Sequence, residues 1–254
     1  MSLGFMIRWK ILKEGNKLEK INDIKYKTMK RPKVIFFDVN ETLLDLEPLK
    51  QSISKVLNNK PELGTLWFTT MLQYSLVVTV SDQYFDFAEI GAAALQMIAK
   101  NNAIELSLEE AKAAVKPILS LQPHPEVEEA LELLKSNNYK LVTFTNSSHF
   151  GIEQQLKNSK LGSYFYESIS IEDFRKFKPD IAVYNWAAEK MNVNNEDCLL
   201  IAAHGWDVAG AAWAGWNSAF IARKGQQLFP LAPLPQLNQP DLLSIARELI
   251  LLKD

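Results

Sequence analysis

Four places in the chain bring residues capable of chemistry to the end of an apolar run or the start of a helix. Asp38 follows Val34-Ile35-Phe36-Phe37, and Thr145-Asn146 closes Leu141-Val142-Thr143-Phe144. Lys178-Pro179 opens a helical stretch, and His204-Gly205-Trp206-Asp207 follows Cys198-Leu199-Leu200-Ile201-Ala202-Ala203. A carboxylate at the end of a buried strand can be a nucleophile, a metal ligand or a helix N-cap. A lysine beside it would keep it charged and steady. A histidine can accept or give a proton near neutral pH, and hydroxyl and amide donors such as Thr145 and Asn146 suit a bound anion. Asp207 could cap the helix that begins there while anchoring Lys178. Glu41, three residues after Asp38, adds a second carboxylate near the first.

These residues work together only if the elements carrying them converge. Val-Ile-Phe-Phe is short, β-branched and aromatic, the composition of a parallel strand buried on both faces. Helices are predicted at 126–137, 150–159, 180–191 and 207–214, with strands at 140–145, 168–170, 198–203 and 218–222 and a closing helix at 240–252. This alternation predicts an α/β fold, a doubly wound parallel sheet. Such a sheet gathers its ligands at the carboxyl ends of its strands. Between the first two strands, Leu66, Trp67, Met71, Leu72 and Leu76, then Ile90, Ala94, Leu95 and Ile98, recur at helical spacing, and Ser107 with Glu110 has the spacing of a capping box. The expected organisation is therefore a core of 31–46 plus 122–254, an all-helical insertion over 47–121, and an N-terminal extension or tag over 1–30. That extension carries eight lysines and arginines against Glu14, Glu19 and Asp23, with no apolar signal-peptide core.

Composition narrows the classes. The chain has 254 residues, 47% hydrophobic and 23% charged, and a formal net charge of -2, which argues against a nucleic-acid binder. Cys198 stands alone in an apolar run, so no internal disulfide can form, and a cytoplasmic location is expected. No stretch reads as a membrane span, and no membrane partner is expected.

In order and spacing the four stretches resemble the four motifs of the haloacid dehalogenase superfamily, over roughly residues 33–225. Phosphatases of that superfamily carry a second aspartate two residues after the nucleophile and a pair of acids in the last motif. Asn40 and a nearly lone Asp207 stand at those places here, too few oxygen ligands for a tight magnesium site. The insertion contains Leu72-x-Tyr74-Ser75 and Tyr84-x-x-Phe87, which resemble the cap-helix pattern of the type II (S)-2-haloacid dehalogenases. By that resemblance Asp38 attacks the halogen-bearing carbon of a small 2-haloalkanoate, halide leaves, and water cleaves the aspartyl ester. No metal or organic cofactor is implied; haloacid and water are the partners, with a possible homodimer. The resemblance implies Asp38, Lys178 and Asp207 as catalytic, with Asn40, Thr42, Phe68, Phe87, Thr145, Asn146, Tyr184 and Trp206 around the substrate.

The chain departs from that family at linked positions. Phe68 stands where the family has a halide-binding arginine, Glu41 where it has glycine, and Ala202 and His204 where it has serine and asparagine. The gain of a carboxylate and an imidazole suggests a Glu41–His204 pair that activates the hydrolytic water. His124 and His149 read as structural or exposed. Tyr74 reads as packing within the helical insertion, and Trp67, Trp186, Trp213 and Trp216 also read as packing. Two alternatives are a phosphatase with altered metal ligation and a catalytically weak protein that binds small carboxylates.

Overall fold

The computed structural model describes residues 29–252. The expected extension over 1–30 lies almost entirely outside them. Six parallel strands form one sheet in the order β3-β2-β1-β4-β5-β6. They are β1 (Val34–Phe37), β2 (Leu141–Thr145), β3 (Glu167–Ser170), β4 (Cys198–Ala202), β5 (Asn217–Ile221) and β6 (Leu237–Gln239). β1, β2 and β4 are buried along their whole length, as suits the apolar runs of β1 and β4 and the largely apolar Leu-Val-Thr-Phe of β2. The chain leaves β1 toward β2 on one side and returns to β4 on the other, so the topological switch lies at the carboxyl end of β1. Asp38 stands there, its backbone N–H donating to Ile201 O at 3.1 Å.

Between β1 and Pro123 the chain forms four α-helices: α1 (Glu47–Val56), α2 (Pro61–Val80), α3 (Phe87–Asn101) and α4 (Leu108–Val115). Capping boxes set two of their starts, Asp86 with Glu89 for α3 and Ser107 with Glu110 for α4. The remaining helices, α5 (Val127–Ser136), α6 (His149–Ser159), α7 (Ile181–Lys190), α8 (Gly205–Trp213) and α9 (Leu242–Leu249), join or follow the strands.

Five points of the sequence reading need correction. β6 went unread because only Leu237 of its three residues is buried, and the closing helix is shorter than expected, starting after its cap Asp241 and ending at Leu249. By length and composition α2 is apolar enough to cross a bilayer, contrary to the sequence reading. Here it packs Leu63, Trp67 and Met71 inward and leaves Leu66, Leu76, Val77 and Val80 exposed. Tyr74 lies on that outer face rather than in the packing of the insertion, and Trp213 is half exposed rather than packed.

Candidate active site

The strand-end residues meet around Asp38, which is 5% exposed. Its Oδ1 accepts from Lys178 Nζ at 3.1 Å, while Oδ2 accepts from Thr42 Oγ1 at 2.7 Å and faces His204 Nδ1 at 3.0 Å. Burial alone would push this carboxyl up. The Lys178 charge, then His204 and Thr42, outweigh burial and hold its pKa well below the usual carboxylate range. Asp38 is thus an ionised, oriented carboxylate at the switch point.

Lys178 is fixed from behind. Its three ammonium protons meet Asp38, Asp207 Oδ2 at 2.6 Å and Phe144 O at 2.8 Å, while Asn146 Oδ1 accepts from its backbone N–H at 3.0 Å. Burial pulls this lysine down, but Asp207 and Asp38 more than compensate and its pKa is raised. Asp207 shows the opposite balance. Burial, helped by the charge of Asp38, pushes it up against the pull of Lys178. Its Oδ1 accepts from Tyr184 OH at 2.6 Å, and burial together with Asp207 raises that phenol well above its ordinary value, so it remains a donor. Gly210 lets α8 approach closely enough for this arrangement: a Cβ there would lie 2.5 Å from both Pro179 Cβ and Tyr184 OH.

Asp38, Asn40, Phe68, Phe87, Thr145, Asn146, His204 and Trp206 line one cavity of about 20 Å³, room for roughly one water. Eight of the thirteen residues expected at the site therefore meet there. Lys178 and Asp207 stand immediately behind Asp38. The His204 ring stacks with Phe68, at 5.7 Å between centroids, and with Trp206, at 5.2 Å, nearly parallel to both.

Three expectations fail. Thr42 is fully buried, donates to Asp38 and accepts from Ala203 N at 2.9 Å, so it orients the carboxylate and does not touch the cavity. Tyr184 is equally buried and serves Asp207, not a substrate. The expected Glu41–His204 pair does not form. Glu41 has φ 63°, in the left-handed region where glycine sits without strain, within the tight turn that pairs Asn40 with Leu44. Its carboxylate takes Lys50 Nζ at 2.9 Å and borders a separate surface cleft with His124 and Arg223. His204 meets Asp38 instead.

Sequence reasoning also missed residues around the cavity. Gln155, on α6, donates through Nε2 to Asn40 Oδ1 at 2.8 Å, and Asn40 Nδ2 donates to Ser147 Oγ at 3.3 Å. Leu46, Leu49, Met71, Leu72 and Ile118 complete its apolar wall. The one signal for Ser147 was its place directly after Thr145-Asn146. Among the described residues no group of three or more His, Cys, Asp or Glu side chains is placed to hold a metal ion. Asp38 and Asp207 are bridged by the Lys178 ammonium, an arrangement ill suited to a hard dication.

Fold and site define an α/β protein with a helical insertion over a buried, ionised carboxylate at the sheet's switch point. The chain belongs to the haloacid dehalogenase-like hydrolase family, whose model matches residues 32–215. It is 30% identical to (S)-2-haloacid dehalogenase 4A of Burkholderia cepacia over 78% of this chain and 87% of that protein. It is 28% identical to (S)-2-haloacid dehalogenase H-109 of Pseudomonas putida over 82% and 93%. In fold it is similar to the L-2-haloacid dehalogenase of Xanthobacter autotrophicus with chloropropionic acid covalently bound, with TM-score 0.79 and 21% identity over 85% of this chain and 97% of that one.

Proposed function

We propose that the protein hydrolyses the carbon–halogen bond of a small (S)-2-haloalkanoic acid through an ester on Asp38. The observation that carries this reading is the state of Asp38. It is buried, held ionised by Lys178, oriented by Thr42 and open to a small cavity with apolar walls. A desolvated, oriented carboxylate is suited to displacement at carbon. Halide is a sufficient leaving group without a general acid, which fits an amide rather than a carboxyl at Asn40. The names of the relatives support the same substrate class.

In the first step an Asp38 oxygen forms a bond to C2 while the carbon–halogen bond breaks and its electron pair leaves with the halide. In the second, water adds to the ester carbonyl, the alcohol departs as the 2-hydroxy acid and the carboxylate is restored. His204 presents Nδ1 to Asp38, so a water attacking that carbonyl meets the same nitrogen. Esterification removes the negative charge facing Nδ1, and neutral imidazole with its proton on Nε2 can then take a proton from water. His204 fills this role without Glu41, whose carboxylate is committed to Lys50.

The test is rapid mixing with (S)-2-bromopropionate followed by intact-mass analysis. One bromide per site should appear together with a transient adduct on Asp38. Bromide release with solvent oxygen entering the product directly, and never Asp38, would refute the ester route.

A further inference from the structure

We propose that Gln155 is a positioning residue: it fixes the Asn40 amide against Ser147 and so keeps that amide off the Asp38 carboxylate that must attack. The inference rests on the dehalogenase reading above and goes beyond it in giving a role in the displacement to a residue far from the strand ends.

Asn40 and Asp38 line the same cavity of about 20 Å³. With room there for roughly one water, an amide turned inward meets the carboxylate. Lys178 and Thr42 hold Asp38 from behind, and Oδ1 accepts only from Lys178 among the described residues. A further donor arriving from the cavity would occupy a lone pair on the side from which substrate is attacked. The attraction is considerable, because a hydrogen bond to an ionised carboxylate is roughly twice as strong as one between neutral groups. Against it Asn40 Nδ2 has the neutral Ser147 Oγ, a long contact at 3.3 Å. The firmer tether is on the other side, where Gln155 Nε2 donates to Asn40 Oδ1 at 2.8 Å.

One backbone carbonyl sets the polarity of this chain of contacts. Gln155 Nε2 also donates to Ile118 O at 3.0 Å, and a carbonyl can only accept. Both amide hydrogens of Gln155 are therefore committed, one of them to Asn40 Oδ1, which turns Asn40 Nδ2 toward Ser147. Gln155 has no room to swing aside. With Gly151, Ile152 and Ser159 it forms the buried face of α6, and it is wholly inaccessible to solvent. Ile118 lies in the short 3-10 helix Lys116–Ser120, through which the helical insertion returns to the sheet. Asn158, three residues further along α6 and exposed, donates through Nδ2 to Leu119 O at 2.8 Å. It ties the same segment to α6 through an amide that does not meet Asn40, so the two tasks of Gln155 can be separated.

The experiment measures the rate constant of first-turnover bromide release from (S)-2-bromopropionate, which does not depend on how much of a variant folds. Urea stability and a crystal structure of Gln155→Met accompany it. Gln155→Met keeps the shape and removes both donors. Bromide release should slow about tenfold, the worth of one hydrogen bond to a charged group, and the crystal should show Asn40 Nδ2 on Asp38. Gln155→Glu should recover most of the rate. Its carboxyl holds the Asn40 amide in either state, accepting from Nδ2 when ionised and donating to Oδ1 when protonated. Asn158→Ala should lower stability while leaving the rate constant within about twofold of wild type. Gln155→Met that matches the wild-type rate, or Asn158→Ala that slows release as much as Gln155→Met, would overturn the inference. So would an Asn40 amide still directed to Ser147 in the Gln155→Met crystal, a result that does not depend on turnover. Absence of bromide release from wild type would instead strike the dehalogenase reading, and the crystal would still decide what holds Asn40.

Discussion

Replacing Lys178 with methionine isolates the electrostatic core of the site. The methionine keeps most of the volume but removes the ammonium that lies 3.1 Å from Asp38 and 2.6 Å from Asp207. Both carboxylates then remain buried, at 5% and 0% exposure, without a cation. Removing one partner of a buried pair costs about 3–5 kcal/mol, and solvent screening gives little relief at this depth. The cost must depend on pH. In wild type the depressed pKa of Asp38 contributes stability present above the unfolded value of 3.8 and lost as pH falls through the folded one. The raised pKa of Lys178 contributes stability present below 10.5 and lost as pH rises through its folded value. In the variant the burial that pushes Asp38 and Asp207 up loses its largest opponent, leaving only His204 and Thr42 at Asp38 and Tyr184 at Asp207, so both carboxyls shift upward and stability relative to wild type is lost increasingly as pH rises through their folded values. Urea unfolding should therefore give a loss of about 3–5 kcal/mol at pH 8 and a clearly smaller one at pH 4.5, where the pair can be neutralised by protons. First-turnover halide release should acquire an acid limb at higher pH than wild type. A loss below about 1 kcal/mol, or one that does not change between the two pH values, would refute the claim that Lys178 compensates both acids.

Asp38→Asn should abolish halide release while circular dichroism shows an intact fold, because an amide is a far poorer nucleophile; substantial activity, once deamidation is excluded, would remove Asp38 from the mechanism. Dehalogenation should survive dialysis against EDTA, since Lys178 bridges the carboxylates a dication would need; loss restored specifically by Mg²⁺ would favour the phosphatase alternative. Glu41→Gln should change turnover by no more than about twofold, as expected of a residue outside the cavity whose carboxylate pairs with Lys50, whereas a stalled Asp38 ester in that variant would revive the pairing with His204. Phe68→Ala should enlarge the cavity of about 20 Å³ and shift kcat/KM toward longer 2-haloacids; unchanged chain-length preference would remove Phe68 from the substrate wall.

The parts of this molecule that were legible in its sequence share one physical property: they are buried and parallel. Such strands are apolar throughout and end abruptly on polar residues, so Asp38, Thr145-Asn146 and His204 announced both the strands and their ligand-facing ends. What the pattern lacked was the side from which a residue addresses the nucleophile. Thr42 touches Asp38 directly and Tyr184 is linked to it through Asp207 and Lys178, but both lie behind it, and nothing in residue type separates a group that holds a carboxylate from one that touches its substrate. Glu41 failed for a related reason. Its position, where the family has glycine, indicated a left-handed turn, and the observed φ of 63° carries its carboxylate to Lys50 and not to the cavity. A carboxylate three positions along from its presumed partner's target says little until the backbone between them is known. Gln155 is the purest case, one amide on the buried face of α6 whose partner, Asn40, lies 115 residues away. The exchange that survives is between Phe68 and His204. An imidazole on the core side is stacked against the very phenylalanine that stands in the arginine's place. That contact turns two separate sequence departures into one rearranged site.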